Sequence, residues 1–236
     1  MTVNKMSGIN KEQEEIEFNR IKELAEKGDT ESQYSMGLHC LYAEDEPANY
    51  KEAEKWLWLA AEQGHCDAQY DLGCLYLFGK GVRKDFEEAI DWLKKSVANG
   101  NPTYQFRLGY AFFCYGDYCE AAKWIRLSAE QGEQYAQVSL GSMYLHGTGV
   151  IKDEEEAMKW FRLAAKQGNK NAKFEVRKYN RRKAGLPEET EGCENITSTL
   201  YHPDSEKMEI DSESFSSKAK EIQEFFVENG IPMTFK

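Results

Sequence analysis

Apolar residues recur along most of this chain in helical stripes. In the first kind of stripe they lie five residues before, one residue before and three residues after a glycine, as Ala68, Leu72 and Tyr76 do around Gly73. These spacings place the side chains on one face of a helix. The central glycine predicts a notch through which a neighbouring helix can approach closely, which offsets the cost of about 1 kcal/mol that glycine carries inside a helix.

A second kind of stripe follows each first one. Ala89, Trp92 and Val97 fall on one helical face, and Gly100 ends the predicted helix. The helix pair recurs with a period of about 36 residues, at approximately 30–64, 67–100, 102–132 and 135–168. Self-similarity at this period is typical of a solenoid, in which stacked repeats bury the apolar faces that a single repeat leaves open.

Half-repeats are predicted at both ends of the array. A helix over 12–27 would cover the first repeat, and a helix that begins near Ala172 would cover the last one, with Arg177 in place of the central glycine. The repeat domain is therefore expected to span 12–184, after an N-terminal tail at 1–11. Arg177–Lys183 forms a basic helix end, for which a solvated cap is favoured over a nucleic-acid patch.

The C-terminal quarter has a different composition. Residues 185–213 are rich in Glu, Ser, Thr and Asp and are interpreted as an acidic linker. In 214–236 an amphipathic helix and tail are expected, with a docking face at Phe215, Ala219, Ile222 and Phe226. Because an isolated helix of this length is marginal in water, it is expected to dock on a surface, in the same chain or in a second copy.

Two glycine loops are the most specific motifs. Gly79–Val82 and Gly147–Val150 join the two helices of their repeats, and an aspartate follows each loop. With the helix pattern, these loops resemble those of the Sel1-like repeat family, relatives of the tetratricopeptide repeats. Two repeats depart from the pattern: the first has the acidic loop 44–49 instead, and the third is four residues shorter, with Tyr115–Tyr118 as its connection.

The resemblance implies an all-α fold, a right-handed superhelical solenoid of antiparallel helix pairs that binds a partner protein in its concave groove. By this analogy, the groove is lined by the residues two before, one after and five after each first-helix glycine. They are Ser35, Leu38 and Tyr42; Asp71, Cys74 and Phe78; Arg107, Tyr110 and Cys114; and Ser139, Ser142 and His146. Aromatic residues with an arginine are typical of interface anchors, although some of these side chains could instead pack against the neighbouring first helix.

The charge of the chain and the lack of long apolar segments limit the kinds of partner that it is expected to bind. The net charge is −11, of which 185–236 contribute −8, with 12 acidic and 4 basic residues. A basic stripe for phosphates is missing, so no nucleic acid partner is expected. The sequence has neither a secretory signal nor the ~18 apolar residues of a membrane helix. A cytoplasmic location and no membrane partner are therefore expected.

No catalytic constellation is apparent, and neither a metal nor a cofactor is expected. The four histidines are scattered without metal-ligand spacing. The six cysteines are expected to be free thiols in a reducing compartment. Cys66 and Cys74 are eight residues apart and leave open a weaker alternative, an enzyme like the cysteine-rich Sel1-like proteins described as β-lactamase-like.

The leading functional hypothesis is a non-catalytic adaptor or scaffold that binds a peptide or helix of another protein in its groove. The C-terminal helix could occupy that groove in cis, or cause self-association in trans. The alternative from another class is a stoichiometric inhibitor or immunity-type protein that sequesters a basic toxin or enzyme, which the acidic tail would favour.

Overall fold

The computed structural model describes residues 15, 16, 18–42 and 49–187 of the 236-residue chain. Every regular element in these ranges is helical. The chain divides into two compact units with the boundary between Tyr115 and Gly116, and each is considered by itself. The all-α repeat architecture predicted from the sequence is confirmed.

The first unit contains six α-helices within its described residues. Helix α1 covers 18–26, and residues 15 and 16 are also helical. It is followed by α2 (Thr30–Tyr42), α3 (Tyr50–Glu62), α4 (Cys66–Phe78), α5 (Phe86–Ser96), a 3₁₀ turn (Val97–Asn99) and α6 (Pro102–Tyr115). Residues 12–14 and 17 of the predicted capping helix and 44–48 of the acidic loop lie outside the described residues.

The second unit contains four helices within its described residues. They are α7 (Tyr118–Glu130), α8 (Gln134–His146), α9 (Glu154–Lys166) and α10 (Lys170–Lys183). Helix α10 is the half-repeat predicted after Gly168. Its basic end pairs with acids of α9: Lys183 Nζ lies 2.6 Å from Glu155 Oε1, and Arg182 pairs with Glu154.

Each unit has a core built from both helices of its repeats. In the first unit, Trp92 is 3% exposed and belongs to a cluster with leucines and alanines of α3 and α4. The second unit has a corresponding cluster that includes Phe161. The predicted glycine notch is also present, because a Cβ on Gly73 would lie 2.7 Å from Leu93 Cγ.

The residues that start the second helices are side-chain caps. Asp85 Oδ1 accepts hydrogen bonds from the backbone N–H groups of Glu87 and Glu88, each at 3.1 Å. Asp117 and Asp153 accept the corresponding bonds from Glu120 and Glu156 at 3.0 Å. Such caps satisfy N–H groups that have no partner within the helix. They explain the aspartate that follows each glycine loop.

In three of the four repeats a buried glutamine joins the first helix to the end of the helix before it, a role that was not predicted from the sequence. The residue lies four before the first-helix glycine. Gln69 Nε2 donates to the carbonyl of Ala61 at 3.0 Å, and Gln33 Nε2 donates to that of Ala25 at 3.1 Å. In the second unit, Gln137 Nε2 donates to the carbonyl of Ala129 at 3.2 Å. A glutamine at this spacing in all four repeats was the available signal.

Candidate functional site

The predicted groove residues differ widely in exposure. In the first unit, Tyr42 is 67% exposed, whereas Arg107 is only 4% exposed. Among the positions five after the glycine, Phe78 and Cys114 are partly exposed, and His146 in the second unit is exposed. Of the remaining positions, Ser35, Leu38, Asp71 and Ser142 are likewise partly exposed, while Cys74, Arg107, Tyr110 and Ser139 are buried.

Polar and aromatic contacts join the first helices of the first unit. The Tyr34 hydroxyl donates to Asp71 Oδ2 at 3.2 Å, which links α2 to α4. The rings of Tyr70 and Tyr104 stack at 4.3 Å between centroids, and the Tyr104 hydroxyl bonds to Asp67, which link α4 to α6. These tyrosines lie beside the predicted groove positions and were not among them. The sequence signal for these contacts was Tyr34 and Tyr70, each three residues before a first-helix glycine, and Tyr104, five residues before one.

A guanidinium lies among aromatic rings and thiols between α4 and α6. The Arg107 Cζ atom lies over the Phe78 ring at 5.1 Å from its centroid, and the Phe78 and Tyr110 rings are 6.2 Å apart. Burial raises the pKa of Tyr110, with Cys114 adding to the shift, so its hydroxyl is neutral at pH 7. Burial likewise raises the pKa of Cys114 to about 11. Three predicted groove residues of α6 and one of α4 therefore come together here.

In the second unit, a buried glutamate of α10 lies near His146 of α8 and was not predicted as a groove residue. The Ser139 hydroxyl is buried without a hydrogen-bond partner, and His146 Nδ1 lies 2.9 Å from the carbonyl oxygen of Ser142. Glu175 of α10 is 6% exposed, and burial raises its pKa although Lys178 and His146 act to lower it. Glu175 is two residues before Arg177, so it continues the register of Ser35, Asp71, Arg107 and Ser139. If the position two residues before the glycine had also been read in the capping helix, Glu175 would have been predicted as a groove residue.

The β-lactamase-like alternative depends on two cysteines, Cys66 and Cys74. Cys66 and Cys74 lie at the start and in the middle of α4, neither is in a disulfide, and Cys74 is buried. In the part of the chain that the structure describes, no group of three or more His, Cys, Asp or Glu side chains is placed to hold a metal ion.

The predicted docking face at Phe215, Ala219, Ile222 and Phe226 lies outside the described residues.

Across residues 15–16, 18–42 and 49–187, none of the helices combines the length and apolar character that a membrane span requires.

Antiparallel helix pairs that stack through glycine notches define an all-α helical-repeat solenoid. Its repeats match the Sel1 repeat at residues 30–65, 66–101, 102–133 and 134–169, which is more than half of the chain. The chain therefore belongs to the Sel1 repeat family. Proteins of this family generally mediate protein–protein interaction and are typically non-catalytic scaffolds.

Solved structures of similar proteins agree with this assignment. The protective antigen c5321 of uropathogenic Escherichia coli, which displays an SLR fold, is 31% identical with a TM-score of 0.63, over 86% of this chain and 43% of that one. A Sel1 repeat protein from Oxalobacter formigenes is 32% identical with a TM-score of 0.57, over 72% and 50%. The chain thus covers half or less of these two proteins.

MamA shares the fold alone, at 21% identity and a TM-score of 0.51, over 66% of this chain and 89% of that one. A comparison with curated protein sequences gave no significant match.

Proposed function

We propose that this protein is a non-catalytic adaptor whose first helices bind a peptide or a helix of a partner protein. The observation that supports this most directly is Tyr42, which is 67% exposed at the end of α2. Leu38 lies one turn earlier on the same helix and is partly exposed. A tyrosine beside an aliphatic side chain gives a large contact area at a low cost in conformational entropy, as interface anchors do.

A second apolar surface offers a matched control. Trp58 and Leu59 of α3 are 45% and 39% exposed, but they lie on a second helix. Both surfaces belong to the first unit, and both expose a large aromatic ring. A binding experiment that compares them therefore separates a first-helix interface from simple exposure of an apolar patch.

The test begins with a displayed peptide library selected on the full-length protein. Affinities of a selected peptide are then measured by calorimetry for the wild type, Tyr42→Ala and Trp58→Ala, after circular dichroism shows that each variant is folded. Loss of a central aromatic anchor costs at least about 2 kcal/mol, so Tyr42→Ala should weaken binding by about 30-fold. Trp58→Ala should change it by less than about twofold. The reverse ranking would place the interface on the second helices and contradict the proposal.

The chain also carries its own candidate competitor for this surface. The segment predicted to present Phe215, Ala219, Ile222 and Phe226 would hold its apolar stripe against the first helices when no partner is bound. In the full chain, Ile222→Asp with Phe226→Asp should then raise the affinity of the selected peptide severalfold or change the oligomeric state measured by light scattering. Unchanged affinity and mass would show that the segment does not compete.

A further inference from the structure

Arg107 of α6 is a buried charge without a carboxylate partner. It is 4% exposed, and it forms no ion pair with any acidic side chain in the described ranges. Its Nε atom has no hydrogen-bond partner either. Burial acts to lower the pKa of Arg107, but Cys74 and Tyr70 act to raise it and the net shift is upward, so the guanidinium is charged.

The groups around the guanidinium provide dipoles and rings. Phe78 offers the face of its ring, and the hydroxyls of Tyr70 and Tyr110 are neutral at pH 7, since burial raises the pKa of both. Removing an ionised side chain from water is strongly unfavourable unless an opposite charge compensates it. A methionine would fill a similar volume without that cost, so stability alone does not account for an arginine here.

Two of the residues around Arg107 reach the protein surface. Phe78, at the end of α4, and Cys114, near the end of α6, are both partly exposed. Cys114 is also close enough to Arg107 for the guanidinium to act on its pKa. A ligand that docks at the ends of these two helices would therefore contact Phe78, whose ring lies against the buried guanidinium.

We propose that Arg107 is the receptor for a carboxylate of the bound partner, held against the partly exposed ring of Phe78. The carboxylate is either an Asp or Glu side chain or the C-terminus of a peptide, both of which match the planar fork of a guanidinium. This inference rests on the proposed function and adds the chemistry of the ligand to it. The favoured partner is accordingly a peptide with an acidic anchor.

A first experiment requires no partner protein. The Nε–Hε signal of Arg107 in the ¹⁵N-labelled full chain, assigned by its absence from Arg107→Met, is followed while three probes are added. N-acetylglycine carries a terminal carboxylate, N-acetylaspartate N-methylamide carries a side-chain carboxylate, and N-acetylglycinamide is neutral. At least one carboxylate should shift the signal saturably, and the stronger of the two identifies the source. Equal shifts from all three probes would overturn the proposal.

The variants provide a second readout. Arg107→Met should unfold at an equal or higher denaturant concentration than the wild type, because it removes an uncompensated buried charge. It should bind the library-selected peptide about 10- to 100-fold more weakly. Arg107→Lys keeps the charge but loses the planar fork, so it should bind with intermediate affinity. A strongly destabilised Arg107→Met would instead show that the arginine is structural.

Two outcomes separate this proposal from the one on which it rests. If Tyr42→Ala abolishes peptide binding while Arg107→Met binds as tightly as the wild type, the first-helix interface is correct and the carboxylate site is wrong. If iodoacetamide labelling shows Cys74 to be ionised near pH 7 and Arg107→Met abolishes that ionisation, the thiolate is the counter-ion and the carboxylate site is again wrong.

Discussion

Gly81 lies directly against Tyr50, the first residue of the second helix in the preceding repeat. A Cβ on Gly81 would overlap the Cβ of Tyr50 and lie 3.0 Å from its Cγ. Lys80 adds a contact, because its Nζ lies 5.8 Å from the centroid of the Tyr50 ring. The second unit repeats the arrangement, with Gly149 against the backbone of Tyr118. The glycine loops therefore connect neighbouring repeats as well as turning the chain between two helices.

The substitution Gly81→Ala should be strongly destabilising. The backbone at Gly81 has a φ of +67°, which costs an alanine about 1–2 kcal/mol. Overlap with Tyr50 adds about 1–3 kcal/mol, as overpacking does elsewhere. Urea unfolding should therefore show a loss of roughly 2–5 kcal/mol in the free energy of unfolding.

Gly100 provides the matched control. Its φ is +73°, but a Cβ there would meet no atom within 4 Å. Gly100→Ala should therefore lose only the backbone cost of about 1–2 kcal/mol. Equal losses at the two glycines would mean that the contact with Tyr50 contributes nothing to stability.

Trp92 and Trp58 differ in exposure, so a comparison of their substitutions tests the core of the first unit. Trp92 is 3% exposed, and its Nε1 donates to Glu88 at 2.8 Å, whereas Trp58 is 45% exposed. Trp92→Ala should cost about 3–5 kcal/mol because it leaves a cavity between α3, α4 and α5. Trp58→Ala should cost about 1 kcal/mol or less. Denaturation of the two variants under the same conditions checks this, and a similar cost for both would be inconsistent with the cluster.

A pair of glutamines should be energetically coupled. Gln63 Nε2 donates to Gln33 Oε1 at 2.7 Å and also to the carbonyl of Gly28 at 3.2 Å. In a double-mutant cycle with methionine at both positions, the coupling free energy should be about 0.5–1.5 kcal/mol. The second repeat has Asn99 at the position of Gln63, so a cycle with Gln69 and Asn99 should show almost no coupling. Coupling of equal size in both cycles would contradict the role of this bond.

Glu175 should make the protein less stable as the pH rises. Burial raises its pKa, so between the unfolded and folded pKa values the native state binds more protons than the unfolded state. Stability therefore falls as the pH rises through this interval. Glu175→Gln should match the wild type at acidic pH and exceed its stability at pH 7, in urea unfolding measured from about pH 4 to pH 8.

Glu155 should show the opposite dependence. Its pKa is lowered by hydrogen bonds from Lys183 and Tyr179. Its ionised form therefore contributes stability that is present above the unfolded pKa and lost as the pH falls through the folded pKa. Glu155→Gln should lose stability relative to the wild type as the pH rises towards neutrality. A shift of the same sign in both variants would contradict the burial of Glu175.

Local pattern was sufficient to predict the repeats. The spacing of Ala68, Leu72 and Tyr76 around Gly73 requires one buried helical face whatever lies opposite it, and the notch follows from the missing side chain. The caps at Asp85 and its equivalents follow from the same local chemistry, because a helix start needs an acceptor wherever it lies. These features depend on a few neighbouring residues, so the sequence by itself determined them.

Tertiary structure decided what each groove position does. Tyr42 and Arg107 hold groove positions in the same repeat pattern, yet one side chain is exposed and the other is buried beside Phe78. The contact of Gly81 with Tyr50 likewise joins residues 31 positions apart. Burial at such positions depends on the size of side chains supplied by a neighbouring repeat and on how closely the helices approach. That information is not local, so no periodicity in the chain could have shown it.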